Sequence, residues 1–390
     1  MTTIKVYNKI ADEGLDILRK RNYQLEDSED FKGILLRSEK LQEHVFPTSL
    51  LAIARAGAGT NNIPVQRCTD EGIVVFNTPG ANANAVKELI LATLLLSVRP
   101  VLKARDWIKD LKSDDPEGDA EKFKSQFAGV ELEGKTLGVV GLGAIGSMVA
   151  NDAYRLGMNV IGYDPYVSVE TAWNISRRVK RADDIQEIFD NCDFITIHVP
   201  LLDSTRNLIS KKQLASMKET AVVLNFARKE LVDTDAMIEA LDNNQIKSYV
   251  CDFADARLIQ RDDCIVLPHL GASTEEAEIN CAISAANTLS RYIETGEIIN
   301  SVNFPRVEMT LRSPMRFTFI HKNIPNMLGQ ISTVAANHKL NIENMINKSR
   351  GDYAYTLVDI QSIPENNKQD VIESLSKIDH MIKVRLITND

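Results

Sequence analysis

A glycine-rich segment of the chain has the spacing of a phosphate-binding loop. The apolar run 137–140 predicts a buried parallel strand, and Gly141, Gly143 and Gly146 follow it in G-x-G-x-x-G spacing ahead of a helical pattern. The first glycine allows a tight turn, the second lets the backbone approach a pyrophosphate, and the third lets helix and strand pack closely. The pyrophosphate would lie at the positive N-terminus of the helix.

A carboxylate follows the next predicted strand, 159–163. Asp164 lies 18 residues beyond Gly146, where a carboxylate can bind the hydroxyls of an adenosine ribose. A lone glycine motif also occurs in ordinary turns, but the strand, helix, second strand and acid together favour a dinucleotide. Because Asp164 would repel a ribose phosphate, we predict NAD rather than NADP as the cofactor.

Two polar residues follow later predicted strands, and ligands of open α/β sheets bind beyond the carboxyl ends of strands. Arg228 can bind a carboxylate through two parallel hydrogen bonds, and His269 can exchange a proton near neutral pH. Hydride transfer between a nicotinamide and a 2-hydroxy acid needs both groups. Either residue alone could be a surface or capping residue, but their joint placement favours catalysis.

Composition excludes several classes of protein. The net charge of −9 argues against nucleic-acid binding. Five scattered cysteines predict reduced thiols in a cytoplasmic protein, with no disulfide and no metal site. The N-terminus lacks a signal-peptide pattern. The longest mainly apolar run, 89–98, is too short to span a membrane.

The pattern of elements predicts three domains. Short strands alternating with helices predict a small parallel α/β unit at the start, followed by one long helix over 85–108 and an exposed segment over 109–127. Six further strands match a doubly wound sheet. A helix over 275–294 is long enough to return to the first domain, which we therefore expect to be discontinuous. The rest of the chain, after this helix, has the predicted element order βαββαβ, which is typical of a ferredoxin-like module.

Five motifs carry a resemblance to a known family, and they lie at 55–64, 76–88, 141–146, 225–228 and 268–274. In these segments the chain resembles the D-isomer-specific 2-hydroxyacid dehydrogenases. Within that family it resembles the members that act on D-3-phosphoglycerate. The resemblance implies a Rossmann-type sheet inserted in a flavodoxin-like substrate domain. The expected boundaries are 1–94 with 285–305 for the substrate domain, 95–284 for the NAD domain and 313–390 for the C-terminal domain.

The resemblance also implies roles for residues. Arg228 would bind the substrate carboxylate and carbonyl, and His269 would be the acid and base. Further substrate contacts are expected from Arg37, Ser38, Arg55, Gly57 and Asn82. The expected NAD contacts are Gly141, Gly143, Ala144, Ile145, Gly146, Asp164, His198, Val199, Pro200, Thr205, Phe226, Ala227, Asp252 and Gly271.

Two departures from the family pattern concern the catalytic residues. The Glu that orients the catalytic His in the family is replaced by Ala256 in a segment one residue shorter, which leaves Asp255 as the nearest candidate carboxylate. Lys229 and Glu230 stand after Arg228, where the family commonly has glycine. We therefore expect Asp255 to orient His269, as the third catalytic residue.

The C-terminal domain resembles an ACT domain, the regulatory unit of many amino-acid biosynthetic enzymes. His321, Asn323 and Asn341 keep the spacing of serine-binding segments, and amides with an imidazole can contact an amino acid. The alternative is that both Asn residues cap a helix or shape a loop. Asn326 replaces the usual glycine. The resemblance makes L-serine an expected effector.

The expected function is NAD-dependent oxidation of D-3-phosphoglycerate to 3-phosphohydroxypyruvate, the first step of L-serine synthesis, in a cytoplasmic homo-oligomer. Arg37 and Arg55 favour a phosphorylated or dianionic substrate. Two alternatives remain open. One is a dehydrogenase for another acid such as glycerate, 2-hydroxyglutarate or lactate. The other is a non-catalytic NAD-sensing interaction protein, which the missing Glu favours mildly.

Overall fold

The structure, a computed structural model, describes residues 2–26 and 28–389. The chain forms two compact units, one of residues 1–82 with 275–390 and one of residues 83–274. The first unit begins with four short parallel strands in the order β1-β2-β3-β4. Its opening elements are β1 (Ile4–Val6), α1 (Asp12–Lys20), β2 (Gly33–Leu36), β3 (Ala52–Arg55), α2 (Val65–Asp70) and β4 (Val74–Phe76).

The second unit starts with helices. The predicted single helix over 85–108 is wrong: α3 (Ala83–Val98) ends before Pro100, and α4 (Val101–Asp110) begins after it. Pro100 has no N–H to donate and disfavours helical geometry at the residue before it, so the helix breaks there. The charged segment that follows forms α5 (Pro116–Phe123) and a short 3₁₀ turn.

A parallel sheet in the order β11-β10-β9-β8-β5-β6-β7 makes the body of this second unit, as the predicted doubly wound fold requires. Buried strands with helices between them give the continuous apolar runs seen in the sequence. The elements are β5 (Thr136–Val140), α6 (Ala144–Arg155), β6 (Asn159–Tyr163), α7 (Val169–Asn174), β7 (Lys180–Arg181), α8 (Gln186–Asn191), β8 (Phe194–Ile197), α9 (Lys211–Ser216), β9 (Val222–Asn225), α10 (Thr234–Asp242), β10 (Ser248–Cys251) and β11 (Cys264–Val266).

The chain then returns to the first unit through the 21-residue helix α11 (Glu275–Thr295). Its small residues Ala282, Ala285 and Ala286 are buried against the core of the four-stranded sheet. The Cβ of an added side chain at Gly14 in α1 would lie 2.7 Å from Ala282, so glycine permits this close helix approach.

A third, antiparallel sheet completes the first unit, in the order β13-β14-β12-β15. We call residues 313–390 the C-terminal module. Its elements are β12 (Met315–Lys322), α12 (Met327–Asn337), β13 (Ile342–Arg350), β14 (Tyr353–Ile360), α13 (Lys368–Ser376) and β15 (Met381–Thr388). The βαββαβ prediction is confirmed. One sheet face packs on its two helices, and Ile320, Tyr355 and Leu357 on the other face join the core around α11.

None of the helices within the described ranges is long and apolar enough to cross a membrane.

Candidate active site

The glycine loop between β5 and α6 leaves space for a ligand. Gly141 has a φ of +90°, and a Cβ at Gly146 would lie 1.9 Å from the Gly141 carbonyl oxygen, so both positions require glycine. A Cβ at Gly143 would meet nothing within 4 Å. Gly143 is also the N-cap of α6 without a side-chain cap. The first N–H groups of α6, such as those of Ala144 and Ile145, have no carbonyl partner within the helix and lie next to the exposed, open space at Gly143, which suits a pyrophosphate.

Asp164, directly after β6, holds this loop in shape through hydrogen bonds to backbone N–H groups. One carboxylate oxygen accepts a hydrogen bond from the Leu142 N–H at 2.9 Å, and the other accepts from the Tyr166 N–H at 2.8 Å. Because each carboxylate oxygen can accept two hydrogen bonds, Asp164 retains capacity for the two hydroxyls of a ribose.

The loop after β8 holds the predicted residues His198, Val199, Pro200 and Thr205. The Thr205 hydroxyl donates to the Pro200 carbonyl at 2.7 Å and accepts from the Leu202 N–H at 2.8 Å, which fixes the shape of the loop. Burial lowers the pKa of His198 to about 3. Its imidazole is therefore neutral, with Nε2 3.0 Å from the Thr196 hydroxyl, and it is unsuited to acid–base work.

Arg228 follows β9 and is exposed. The buried side chain of Asn225 sets the turn: its amide donates to the Arg228 carbonyl at 2.8 Å, and its oxygen accepts from the Ala227 N–H at 3.2 Å. The guanidinium donates only to the Ala227 carbonyl, at 2.6 Å, and forms no ion pair within the described part of the chain. Its remaining donors suit a substrate carboxylate.

His269 and Asp252 meet beyond β11 and β10, the strands at one end of the sheet. The His269 N–H donates to the Asp252 carbonyl at 3.0 Å and the residue has a φ of +54°. Asp252 is only 2% exposed; one carboxylate oxygen accepts from the Gly271 N–H at 3.1 Å. Its other oxygen is buried with no hydrogen-bond partner among residues 2–26 and 28–389.

The orphaned oxygen of Asp252 fits an incoming hydrogen-bond donor, such as the carboxamide of a nicotinamide. A buried polar atom without a partner is costly, so its retention needs an explanation of this kind. Burial raises the pKa of Asp252, whereas the Gly271 N–H and the nearby charges of His269 and Arg228 partly oppose that rise. Together with the open glycine loop, this arrangement fits bound NAD.

The imidazole of His269 packs against an aromatic ring instead of a carboxylate. The ring of Phe253 meets it edge to face, with centroids 5.5 Å apart. Asp255 accepts hydrogen bonds from Arg257 and Lys229, each at 3.1 Å, and these cations hold the pKa of its carboxyl well below the usual range. The structure therefore does not bring Asp255 to His269, although the sequence predicts it as the orienting acid.

Four of the five predicted substrate residues of the first unit lie at the carboxyl ends of β2 and β3, and Asn82 follows β4. Arg37 pairs with Glu278 of α11 at 2.6 Å, and the Arg55 Nε donates to the Arg37 carbonyl at 2.8 Å. The N–H of Ser38 donates to the Asn8 side chain at 2.9 Å. Gly57 and half-buried Asn82 lie in loops of the same unit.

Sequence reasoning missed Glu278 and Asn8. The signal for Glu278 was the acidic first turn of α11, which contains three Glu residues. Asn8, two residues after β1, has a φ of +66°, and Asn is enriched in this left-handed region.

The C-terminal module does not gather the three predicted serine contacts in one open site. His321 is 2% exposed, and its ring nitrogens lie 2.8 Å from the Lys322 carbonyl and 2.9 Å from the Thr356 hydroxyl. Asn323 and Asn341 are exposed, and Asn323 donates to the Gly351 carbonyl at 3.1 Å. A cavity of about 330 Å³ lies elsewhere on the module, along α12; it is lined by Asn326, Gly329, Gln330, Thr333, Val334 and Ile378.

Comparison with known proteins agrees with this geometry. The family described as "D-isomer specific 2-hydroxyacid dehydrogenase, NAD binding domain" matches residues 91–271. The chain is 31% identical to D-3-phosphoglycerate dehydrogenase 1 of Saccharomyces cerevisiae, over 93% of this chain and 80% of the yeast protein. The chain belongs to the D-isomer-specific 2-hydroxyacid dehydrogenases. It is an NAD-dependent oxidoreductase with the Rossmann-type sheet of that family.

Two further relatives extend the comparison. D-3-phosphoglycerate dehydrogenase of Methanocaldococcus jannaschii is 36% identical over 78% of this chain and 58% of its own length. The solved structure of NAD-bound 3-phosphoglycerate dehydrogenase from Entamoeba histolytica has a TM-score of 0.61 and 26% identity. It covers 77% of this chain and 98% of that structure. No group of three His, Cys, Asp or Glu residues in the described ranges could hold a metal ion.

Proposed function

We propose that the chain oxidises D-3-phosphoglycerate to 3-phosphohydroxypyruvate with NAD, the first step of L-serine synthesis. One observation carries the proposal: exposed Arg228 and His269 follow strands of the same sheet beside the buried, half-satisfied carboxylate of Asp252. The resemblance to D-3-phosphoglycerate dehydrogenases over most of the chain supports the choice of substrate.

The proposed chemistry divides between these residues. Arg228 binds the substrate carboxylate and polarises the adjacent C2 oxygen. The imidazole of His269 accepts the proton of the C2 hydroxyl. Bound NAD supplies the acceptor for the C2 hydride, so loss of one proton and one hydride leaves a carbonyl at C2. Asp252 and the glycine loop hold the cofactor.

Charge in the first unit favours a phosphorylated acid. Arg37 and Arg55 stand at neighbouring strand ends, and the guanidinium fork suits phosphate oxygens. Glu278 holds the Arg37 guanidinium through one ion pair, and the remaining N–H donors suit a dianionic phosphate better than a neutral hydroxyl. We therefore favour D-3-phosphoglycerate over D-glycerate, D-lactate and D-2-hydroxyglutarate.

A spectrophotometric assay tests this function. We expect NADH absorbance to appear with D-3-phosphoglycerate, and kcat/KM to be at least tenfold higher than for the three other acids. A preference for one of those acids would show another dehydrogenase of the family. Tight NAD binding with no turnover of any of them would favour the non-catalytic alternative.

We also propose that L-serine binds the C-terminal module through Asn323 and Asn341, whose amides are exposed. In this proposal, buried His321 fixes the strand that leads to Asn323. Calorimetry on the full chain should detect serine binding, weakened at least fivefold in Asn323→Ala and Asn341→Ala. A control variant, Gln369→Ala, changes an exposed amide on α13 and should bind normally. Undiminished binding in both site variants would contradict this assignment.

A homo-oligomer is proposed from the apolar surface of the second unit. The helix α4 contains no buried residue, yet Val101, Leu102 and Ile108 are each about half exposed. Exposed apolar side chains in this density mark contact surfaces. Light scattering should show a dimer or tetramer for the wild type and a smaller species for the double variant Leu102→Glu/Ile108→Glu.

A cytoplasmic location remains our expectation from five unpaired cysteines.

A further inference from the structure

The C-terminal end of α11 is capped by side chains from the C-terminal module. The last carbonyls of a helix lack partners within the helix. Here Arg385 donates to the Tyr292 carbonyl at 3.2 Å, and Arg316 donates to the Thr295 carbonyl at 2.9 Å. Two arginines at a helix C-terminus also complement the negative end of the helix dipole.

A tyrosine completes this cap. The Tyr355 hydroxyl donates to the carbonyl of Gly296, directly after α11, at 2.6 Å. The three capping side chains come from the three strands β15, β12 and β14. The end of α11 is therefore tied to three adjacent strands of the four-stranded module sheet.

The capping groups themselves are held rigidly. Arg316 and Asp359 face each other on adjacent strands, both fully buried, and form two hydrogen bonds of 2.6 and 2.9 Å. Tyr355 is also fully buried, and its ring lies 6.4 Å from that of Tyr292. Gly296 has a φ of +73°, and a Cβ there would lie 2.6 Å from Thr318. There is little room for α11 to shift against this sheet.

The other end of α11 reaches the proposed substrate residues. Glu278, in its first turn, pairs with Arg37 at 2.6 Å. The helix has no Pro or Gly between Glu275 and Thr295, so it lacks the usual sites of a kink. At 1.5 Å per residue it spans about 30 Å, as one rigid element.

We propose that Tyr355, Arg385 and Arg316 are positioning residues for the substrate site. By fixing the C-terminal turn of α11 they fix Glu278, and Glu278 in turn holds the guanidinium of Arg37. The proposal rests on the proposed function only in taking Arg37 as a substrate contact. It assigns the module a direct mechanical role that does not depend on any effector.

The test compares two Tyr→Phe variants of the full-length protein. Tyr355→Phe removes the bond to Gly296 and keeps the ring. Tyr353→Phe is the matched control, because Tyr353 is on the same strand and its hydroxyl donates to Asp70 at the end of α2, away from α11. In Tyr355→Phe we expect KM for D-3-phosphoglycerate to rise about three- to fivefold with kcat within twofold, since a loosened Arg37 binds less well. Tyr353→Phe should change neither.

A double-mutant cycle tests whether the effect of Tyr355 on substrate binding passes through Glu278. In a Glu278→Gln background, Tyr355→Phe should no longer change KM. Multiplicative effects of the two substitutions, or equal effects of both tyrosine variants, would overturn the proposal. If Tyr355→Phe folds poorly, Arg385→Met removes another cap and carries the same expectation, with Arg385→Lys restoring the wild-type KM.

Hydrogen exchange separates this proposal from the proposed function. Without substrate, Tyr355→Phe should speed exchange in the last turn of α11 and also around Glu278, and Tyr353→Phe should do neither. Faster exchange confined to the last turn would overturn the proposal. This result is independent of whether the chain oxidises D-3-phosphoglycerate.

Discussion

The two parallel sheets of this chain differ in whether the polar side chains at the carboxyl ends of their strands already have partners within the protein. In the seven-stranded sheet, Arg228 and His269 are exposed, and neither forms a side-chain ion pair within the described residues. In the four-stranded sheet, Arg37 is already paired with Glu278, and Arg55 is bonded to the Arg37 backbone. The first edge leaves its donors open for a ligand, whereas at the second edge a ligand must share a guanidinium that the protein already holds in place.

This difference predicts what substitutions should do at each edge. Where a ligand supplies the missing partners, a substitution should impair binding or turnover and leave the free energy of unfolding unchanged. Where the protein supplies the partners, a substitution should alter substrate affinity moderately, and stability can change with it.

The largest effect is expected at the open edge. His269→Ala should lower kcat by about a hundredfold or more, because general acid–base catalysis contributes that much, and NAD affinity should stay within a few-fold. The control His338→Ala changes a histidine of the C-terminal module bonded to Ser374 and should leave kcat unchanged. Steady-state kinetics measures kcat, and NAD titration measures the affinity for the cofactor. Near-normal turnover in His269→Ala would show that His269 is not the acid–base residue.

The second prediction concerns the space above Gly143. Gly143→Ala should leave the free energy of unfolding within about 0.5 kcal/mol of wild type, because nothing lies within 4 Å of the added methyl group. NAD affinity should nevertheless fall on the order of tenfold or more, because a pyrophosphate must approach the backbone there.

The neighbouring glycine is the matched control for that prediction. In Gly146→Ala the methyl group would collide with the Gly141 carbonyl, so stability itself should fall. Denaturant unfolding and calorimetric NAD titration measure both quantities. Unchanged NAD affinity in Gly143→Ala would mean that the open space is not the cofactor site.

Elements with a strong local pattern could be predicted from sequence, and those set by tertiary contact could not. The strand Asn159–Tyr163 has the predicted bounds because its run of apolar residues is a strong local signal. Strand β7 consists of Lys180 and Arg181, two exposed charges without an apolar pattern, and was missed. The break at Pro100 could have been predicted, because proline interrupts a helix whatever surrounds it.

The residues of the candidate site also divide into those that local sequence signals predict and those that depend on tertiary contacts. The glycine loop, Asp164, Arg228 and His269 could be named because motif spacing and strand ends are local signals. The Arg37–Glu278 pair joins residues far apart in sequence, and its acid is ordinary in a helical first turn. Arg316 and Asp359, charges within apolar strands, did offer a signal: such residues need a buried partner.

A third, smaller effect is expected at the paired edge. Arg37→Gln should raise KM for D-3-phosphoglycerate about fivefold to tenfold with little change in kcat, since a charge-assisted contact is lost from substrate binding. The matched control is Arg67→Gln, in which an arginine on α2 of the same unit loses a similar pair with Glu71, directly after that helix. An equal rise in KM for both variants would show a general electrostatic effect rather than a substrate contact.

The smallest effect concerns Lys383, a half-buried charge that the first unit satisfies internally. Its ammonium donates to the Leu50 carbonyl at 2.7 Å. Burial lowers its pKa to about 8, which the nearby charge of Arg385 reinforces and that of Glu71 opposes. Between pH 8 and the ordinary lysine pKa, the unfolded chain therefore binds a proton that the folded chain does not, and stability rises with pH.

From pH 7.5 to 9 this linkage should raise the free energy of unfolding by about 1 kcal/mol relative to a Lys383→Met variant. Denaturant unfolding of both proteins across that range measures the difference, and Lys377→Met, a change at the exposed residue directly after α13, should follow the wild type. A difference that falls with pH would have the wrong sign. It would mean that the folded protein stabilises the charged ammonium, so that its bond to Leu50 outweighs the cost of burial.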